Sequence, residues 1–263
     1  MTQGANSVRA PTEWIIPQWP APAQVRALIT TRGKNGASSG PYAQFNLGGH
    51  VGDKPSAVLH NRKLLRAHLP SEPKWLKQVH GSRVLDADVS AAGEEGDAAV
   101  ARRSGTICVI LSADCLPLLL CDEQGTVIAA AHCGWRGLAA GVIEQTIRVM
   151  QAPPASLLAY LGPAIGPHAY EVGADVRDAF LRGDAGAEPA FVPRASGKWL
   201  ANLYSLARQR LNHLGVKKIS GGDYCTHTDK ARFYSHRRDG RTGRMASLIW
   251  LDTKTDELYS QRV

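Results

Sequence analysis

The sequence predicts a single-domain α/β fold in which a mixed β-sheet is sandwiched with helices. Three observations predict it. Apolar runs of strand length interleave with helical segments along most of the chain, the pattern of an α/β sandwich. The central runs, 106–112, 116–121 and 126–131, are strongly apolar, as buried strands are. At 263 residues the chain can bury a sizeable core without disulfide staples. The one linker candidate, 183–190, is short and lies inside the pattern. Residues 1–263 are therefore read as one domain, opening with an irregular lead-in over 1–22.

After the proline-bearing lead-in, residues 25–31 read as a strand and 33–40 as a Gly/Ser/Asn-rich loop. Asp53-Lys-Pro-Ser sets a proline in the first turn of a helix, and Val58, Leu65 and Leu69 carry it onward at helical spacing. Strands are predicted at 74–80 and 84–88, then a polar, acidic loop at 91–97. The runs 106–112 and 116–121 are separated by Ala113, Asp114 and Cys115, and a turn at Gly125 leads into 126–131. A helix follows over 134–150, with Val142, Ile143, Ile147 and Met150 on one side and Pro153-Pro154 as its stop. A strand at 157–161 runs into a Gly/Pro loop at 162–167. Helices are predicted at 173–181 and 202–214, and late strands at 217–220 and 246–251.

Charge and cysteine usage narrow the class. Lys and Arg number 31 against 23 Asp and Glu, a formal charge of +8 that favours anionic partners. Aromatic residues make up 6%, which is thin for a surface that stacks single-stranded bases. The five cysteines are odd in number. No signal-type apolar core occurs over 1–19, and no run approaches the length that spans a bilayer. The expectation is a cytoplasmic protein without membrane attachment, its thiols free or bound to metal. Cys108 and Cys121, inside apolar strands, are read as small buried hydrophobes.

Chemistry gathers where apolar runs end. Asp114 and Cys115 interrupt two apolar segments, a placement that costs desolvation energy unless both are paired or bound. The predicted strand at 126–131 delivers His132, and the one at 74–80 delivers His80. Two imidazoles and a thiolate suit zinc, and three protein ligands leave the open position of a catalytic site. The spacings, 35 residues from His80 to Cys115 and 17 to His132, match no compact metal signature. By residue type alone, hydrogen-bonded histidines and a core cysteine stay open as alternatives.

Further phrases carry a resemblance. They are Leu28-Ile-Thr-Thr-Arg-Gly, Tyr42-Ala-Gln-Phe-Asn-Leu-Gly-Gly-His-Val-Gly-Asp, Trp75-Leu-Lys-Gln-Val-His-Gly, Ala113-Asp-Cys-Leu-Pro, Ala131-His-Cys-Gly-Trp-Arg-Gly, Tyr160-Leu-Gly-Pro-Ala-Ile-Gly-Pro, Cys225-Thr and Arg237-Arg-Asp-Gly-Arg-Thr-Gly-Arg-Met-Ala. In this order they resemble the YfiH family, once called the multicopper polyphenol oxidase or laccase-domain family. The resemblance implies a fold like the catalytic domain of cytotoxic necrotizing factor, and a zinc site at His80, Cys115 and His132. It also implies phosphorolysis of adenosine, inosine and methylthioadenosine, and adenosine deamination, so that purine nucleosides and phosphate are the expected partners. Some bacterial members are linked to editing of peptidoglycan precursors. Cys133 stands where Ala is frequent in the family pattern, and is expected to be a packing residue.

Phosphorolysis needs cations for phosphate and polar groups for ribose. Arg32, Arg136, Arg238 and Arg244 lie in the matching phrases, and Arg62 lies shortly after the loop that carries Asn46 and His50. Arg32, Arg62, Arg136 and Arg238 are the candidate anion ligands, with Asn46 for a ribose hydroxyl or purine edge. Asn46 equally suits the turn chemistry of Asn-Leu-Gly-Gly. Cys115, Asp114, Arg62 and His50 are the candidate catalytic residues. The basic segment 237–244 reads as a solvated loop or a lid over an anionic substrate rather than a nucleic-acid patch. Nine histidines with no His-x-His pair do not fit a multicopper oxidase, although copper is an expected adventitious occupant of an N/S site. A competing chemistry makes Cys115 the nucleophile of a hydrolase or amidase acting on cell-wall precursors.

Overall fold

The apolar runs pair into sheets as their composition demands. The computed structural model describes residues 13–252. Its strands are β1 (Val25–Ile29), β2 (Val84–Asp86), β3 (Ala98–Ala101), β4 (Ile107–Ser112), β5 (Leu116–Asp122), β6 (Ile128–Cys133), β7 (Leu157–Leu161), β8 (Glu171–Val172), β9 (Phe191–Arg194), β10 (Lys198–Ala201), β11 (Lys218–Gly221) and β12 (Met245–Leu251). The helices are α1 (Pro55–Arg66), α2 (Trp135–Ala139), α3 (Val142–Met150), α4 (Ala174–Leu181), α5 (Leu203–His213) and α6 (His236–Asp239).

A six-stranded sheet runs β11-β7-β5-β6-β3-β2, a three-stranded sheet runs β1-β12-β4, and a small third sheet runs β8-β10-β9. The large sheet is mixed: β11 with β7 and β2 with β3 are parallel, and its other pairs are antiparallel. Side-chain alternation along β5 explains its unbroken apolar text. Leu116, Leu118 and Leu120 join the core formed with α2, α3, α4 and α5, whereas Leu119 and Cys121 face the core shared with the three-stranded sheet. On the far side of that smaller sheet, Val109, Leu111 and Leu248 pack with Leu65 of α1 and with Phe45 and Leu47. Each fully buried Leu contributes roughly 1.5–3 kcal/mol. The order of layers is therefore helices, large sheet, small sheet, α1. Among the described residues no helix is long and apolar enough to cross a membrane.

Several elements differ from the sequence reading. Residues 74–80 form no regular strand; they make isolated bridges, Lys74 with Cys108 and Lys77 with Glu95. The carboxylate of Asp97 takes the N–H groups of Val79, His80 and Gly81, which turns this segment into a loop. The helix expected over 134–150 is two helices, broken where Gly141 adopts φ 87°, a left-handed conformation that glycine tolerates. The loop read at 91–97 leads straight into β3, whose four small apolar residues carried no strand-length signal. Of the expected lead-in, residues 1–12 lie outside the described residues. The remainder is tied down, with Trp14 buried and Ile15 bridged to Ile29.

Candidate functional site

The chain crosses from the small sheet to the large one between Ser112 and Leu116, and this crossing builds the site. Asp114 takes φ 89° there, a conformation that costs a non-glycine residue of order 1 kcal/mol or more. Two hydrogen bonds hold it: Thr226 Oγ1 donates to Oδ1 at 2.6 Å and the Arg237 backbone N–H donates to Oδ2 at 2.6 Å. Cys115 is thereby set at the head of β5. In the neighbouring strand His132 pairs with Pro117, so its ring stands beside that head. His80 arrives from the 74–83 loop with φ 61°. One sulfur and two imidazole nitrogens come together, all within 4.8 Å of one another, and the two imidazole rings meet edge-on at 4.8 Å.

Asp97 organises this cluster. It is fully buried just before β3. Its Oδ1 accepts from the His80 N–H at 2.9 Å and from His132 Nδ1 at 2.8 Å. Its Oδ2 accepts from Val79 at 3.1 Å and Gly81 at 2.7 Å. Because a carboxylate accepts, Nδ1 of His132 carries the hydrogen and Nε2 is left for a metal or for the thiol. Burial disfavours the Asp97 carboxylate, but the bonds from His132 and the 79–81 backbone outweigh it and hold its pKa down.

The same balance acts on Cys115. Burial opposes its thiolate. The charge on His132, with hydrogen bonds from His132 and His80, prevails and lowers the thiol to about 6. His132 is desolvated too, yet the Cys115 thiolate and Asp97 raise it to about 9. Gly134 makes room for the pair: a Cβ there would lie 3.0 Å from Cys115 Sγ and 3.1 Å from His80 Cδ2. The donor set, one thiolate poised near neutrality and two imidazoles of which one is oriented by a carboxylate, fits zinc.

Two cavities meet over the cluster. The larger, about 370 Å³, is lined by His80, Asp114, Cys115, Trp135, Arg136, Ile165, Tyr170, Leu203, His236 and Arg237 among others. Its walls mix aromatic rings with arginines, and Arg136 and Arg237 lie over Trp135 and Tyr170 at 4.5 and 5.2 Å. The smaller, about 180 Å³, has the larger share of polar groups, with His50, Gln78, His132, His236 and Arg244 on its wall beside Leu111 and Ala113. Partial burial, then the charges of Arg244, Arg62, His132 and His80, keep the pKa of His50 below its ordinary value.

The structure thus assembles His80, Cys115 and His132, and sets Asp114, Arg136 and His50 on the cavity walls. Other candidates are placed differently. Arg62 donates twice to the Leu47 carbonyl, at 3.0 and 2.9 Å, and lies 3.9 Å over Trp75, close enough to act on His50 by charge. Arg32, Asn46 and Arg238 line neither cavity. Arg32 holds the carbonyls of Ala43 and Lys230. Arg238 braces those of Thr226, His227 and Phe233. Asn46 Oδ1 accepts from the backbone of Gly48 and Arg244, so it serves the cavity through Arg244. Guanidinium or amide groups saturated by backbone in this way have few donors left for a ligand. Residue reasoning missed Asp97 and His236. The first was hidden in the acidic loop; the second immediately precedes the basic segment.

Fold and site together define a class: an α/β sandwich with a His-Cys-His cluster, of the kind that could hold a metal ion, beside the ends of its central strands. The profile of the family described as multi-copper polyphenol oxidoreductase laccase matches residues 26–252. A purine nucleoside phosphorylase of Pseudomonas aeruginosa is 53% identical over 239 residues, covering 90% of this chain and 98% of the relative. Purine nucleoside phosphorylase YfiH of Escherichia coli is 52% identical over 240 residues, with the same coverage. Among solved structures, a Neisseria meningitidis protein superposes with a TM-score of 0.88 at 48% identity, covering 91% of this chain and 99% of its own. YlmD of Geobacillus stearothermophilus superposes at 0.83 with 28% identity, covering 95% and 98%. The chain belongs to this laccase-domain family, the YfiH family.

Proposed function

We propose that this protein is a purine nucleoside phosphorylase that binds zinc through His80, Cys115 and His132. The observation that carries the reading is the junction of two unlike cavities over that cluster. Phosphorolysis joins two substrates of different character, and each finds a complementary wall. The larger cavity offers Trp135, Tyr170 and Ile165 to a purine ring. The smaller offers Arg244 and His50 to phosphate, with the charge of Arg62 behind them. The names of relatives about half identical over nearly their whole length support the same activity.

A bound zinc ion would supply Lewis-acid charge at the junction. The protein's own residues do the rest. Arg244 and His50 hold the anion against the ribose, and the aromatic walls hold the base. Enclosure on both sides fixes the approach of the two reactants, which is worth several kcal/mol of barrier. Adenosine, inosine and methylthioadenosine are the proposed substrates, and deamination of adenosine would use the same metal. The five unpaired thiols support a reducing cytoplasm as the working compartment.

Chromatography of zinc-loaded protein with inosine or adenosine, with and without phosphate, tests the reading. Phosphate-dependent release of free base and ribose 1-phosphate, lost in C115A, is the expected result; inosine formed from adenosine without phosphate reports deamination. No product from any nucleoside overturns the reading. One observation favours a second chemistry. Cys115, lowered to about 6 between two imidazoles, has the character of an activated nucleophile. A hydrolase of that kind, acting on peptidoglycan precursors, would keep its turnover when zinc is stripped, whereas the phosphorylase would lose it.

A further inference from the structure

Four residues line both cavities: His80, Ala113, Cys115 and His236. Two of these are metal donors and one is an alanine. His236 is therefore the imidazole that borders both cavities and stays outside the His80, Cys115 and His132 donor set. Its ring is mounted firmly although it is exposed. Ser235 caps α6 by accepting from the Arg238 N–H, and Asp114 accepts from the Arg237 N–H at 2.6 Å. Arg238 ties the same turn to three carbonyls.

The ring's hydrogen bonding defines what it can do. Nδ1 lies 2.6 Å from the carbonyl oxygen of Gly240. A carbonyl only accepts, so Nδ1 carries a hydrogen in either protonation state and Nε2 is the nitrogen left for a substrate. When the imidazolium gives up its Nε2 proton, the tautomer that remains is the one Gly240 already stabilises. The other groups on the walls suit this role less. Both oxygens of Asp114 accept from Thr226 and Arg237, and His50 lines only the smaller cavity.

We propose that His236 is the general acid that protonates N7 of the departing purine. The assignment rests on the phosphorolysis reading above. As a phosphate oxygen bonds to C1′ of the ribose, the C1′–N9 bond breaks and its electron pair passes into the purine. The proton on His236 Nε2 goes to N7, so the base leaves neutral. The hydrogen that entered on phosphate is lost from ribose 1-phosphate to solvent, solvent reprotonates the imidazole, and the cycle balances.

The test compares inosine with 7-methylinosine, whose N7 already carries a methyl group and a positive charge and needs no proton. H236N keeps an N–H for the Gly240 carbonyl and removes Nε2; H236Q is the second variant. With phosphate present, both variants are expected to lose about 10²- to 10⁴-fold of kcat/KM on inosine, the range of a general acid. Turnover of 7-methylinosine is expected to stay within a few fold of the unmodified protein, which also shows that the variants fold. Equal losses on the two nucleosides would reduce His236 to a structural role and overturn the proposal, as would full activity of both variants on inosine. If the unmodified protein released base from neither nucleoside, the phosphorolysis reading would fall and this assignment with it.

Discussion

Asp97 spreads four N–H groups over two carboxylate oxygens, and it joins the two histidines of the cluster, which lie 52 residues apart in the chain. Asn in its place would turn an N–H donor toward donors whichever way the amide flips. D97N is therefore expected to weaken zinc binding by about 10- to 100-fold and to lower stability by about 1–3 kcal/mol. Chelator competition and thermal denaturation read the two effects, and zinc affinity unchanged in D97N would remove Asp97 from this role. The thiols make a second prediction at this scale. Burial raises Cys108 and Cys133 far above neutrality and Cys121 to about 12, so these three stay protonated and unreactive. Hydrogen bonds from Thr228 and the backbone overcome burial to lower Cys225, and Cys115 is lowered to about 6. Since a lowered thiol pKa leaves thiolate above it and thiol below, alkylation of metal-free Cys115 by iodoacetamide should slow as pH falls through about 6. Mass spectrometry at pH 7 should find Cys115 and Cys225 labelled, with zinc protecting Cys115. Cys115, Cys108 and Cys121 were legible because thiols inside apolar text are conspicuous. Asp97 was not, because its partners lie elsewhere in the chain and its own neighbourhood reads as an acidic loop.

At the scale of elements, the site depends on two short connections. One is the start of α2, where Gly134 has ordinary backbone angles and a Cβ would press on Cys115 and His80, at 3.0 and 3.1 Å, displacing them by a few tenths of an ångström. G134A should leave the fold intact and sharply reduce zinc content, measured by elemental analysis of the purified protein; full zinc content would show that the neighbours can yield. The other is the Asp114 turn, which holds α6 through the Arg237 N–H, 123 residues away in sequence, and also takes the hydroxyl of Thr226, 112 residues away. Asn tolerates the positive φ but cannot accept with both atoms, so D114N should retain zinc and lose turnover by about tenfold or more as α6 shifts, consistent with about 1–3 kcal/mol for a buried bond left unmade. Zinc lost along with turnover would mean that the Asp114 bonds position Cys115 as well as α6. The same contrast explains which elements the sequence exposes. β4, β5, β6 and β7 are covered on both faces, so their text is continuously apolar. β8, β9 and β10 form a small sheet with exposed and polar positions, which carries little pattern. Residues 74–80 have strand-like composition, yet they make only isolated bridges and end on the carboxylate of Asp97, which takes the N–H groups of 79–81.

For the whole molecule, the four layers place stability and chemistry in separate regions. The buried clusters run between the helices and the large sheet, between the two sheets, and under α1, with a small one beside Met245, and none includes His80, Cys115 or His132. The three cluster residues sit where β5 and β6 reach the crossing, at the margin of these apolar cores. The metal-free protein should therefore be folded. This sets it apart from small domains in which metal binding is the folding energy. Zinc is expected to bind the folded chain alone, because the three cluster residues are far apart along the unfolded one. At a free concentration about 1,000-fold above its Kd, it should add about 4 kcal/mol of stability. For a chain of this size that corresponds to a rise of roughly 8–16 °C in Tm. Calorimetry of the metal-free and zinc-loaded protein, with C115A alongside, measures this directly. A cooperative transition in the metal-free protein, raised by zinc and insensitive to zinc in C115A, would show a preformed site on a self-sufficient scaffold. A metal-free protein with no cooperative transition would mean that the cluster helps to hold the two sheets together, and the separation of scaffold from chemistry would be wrong.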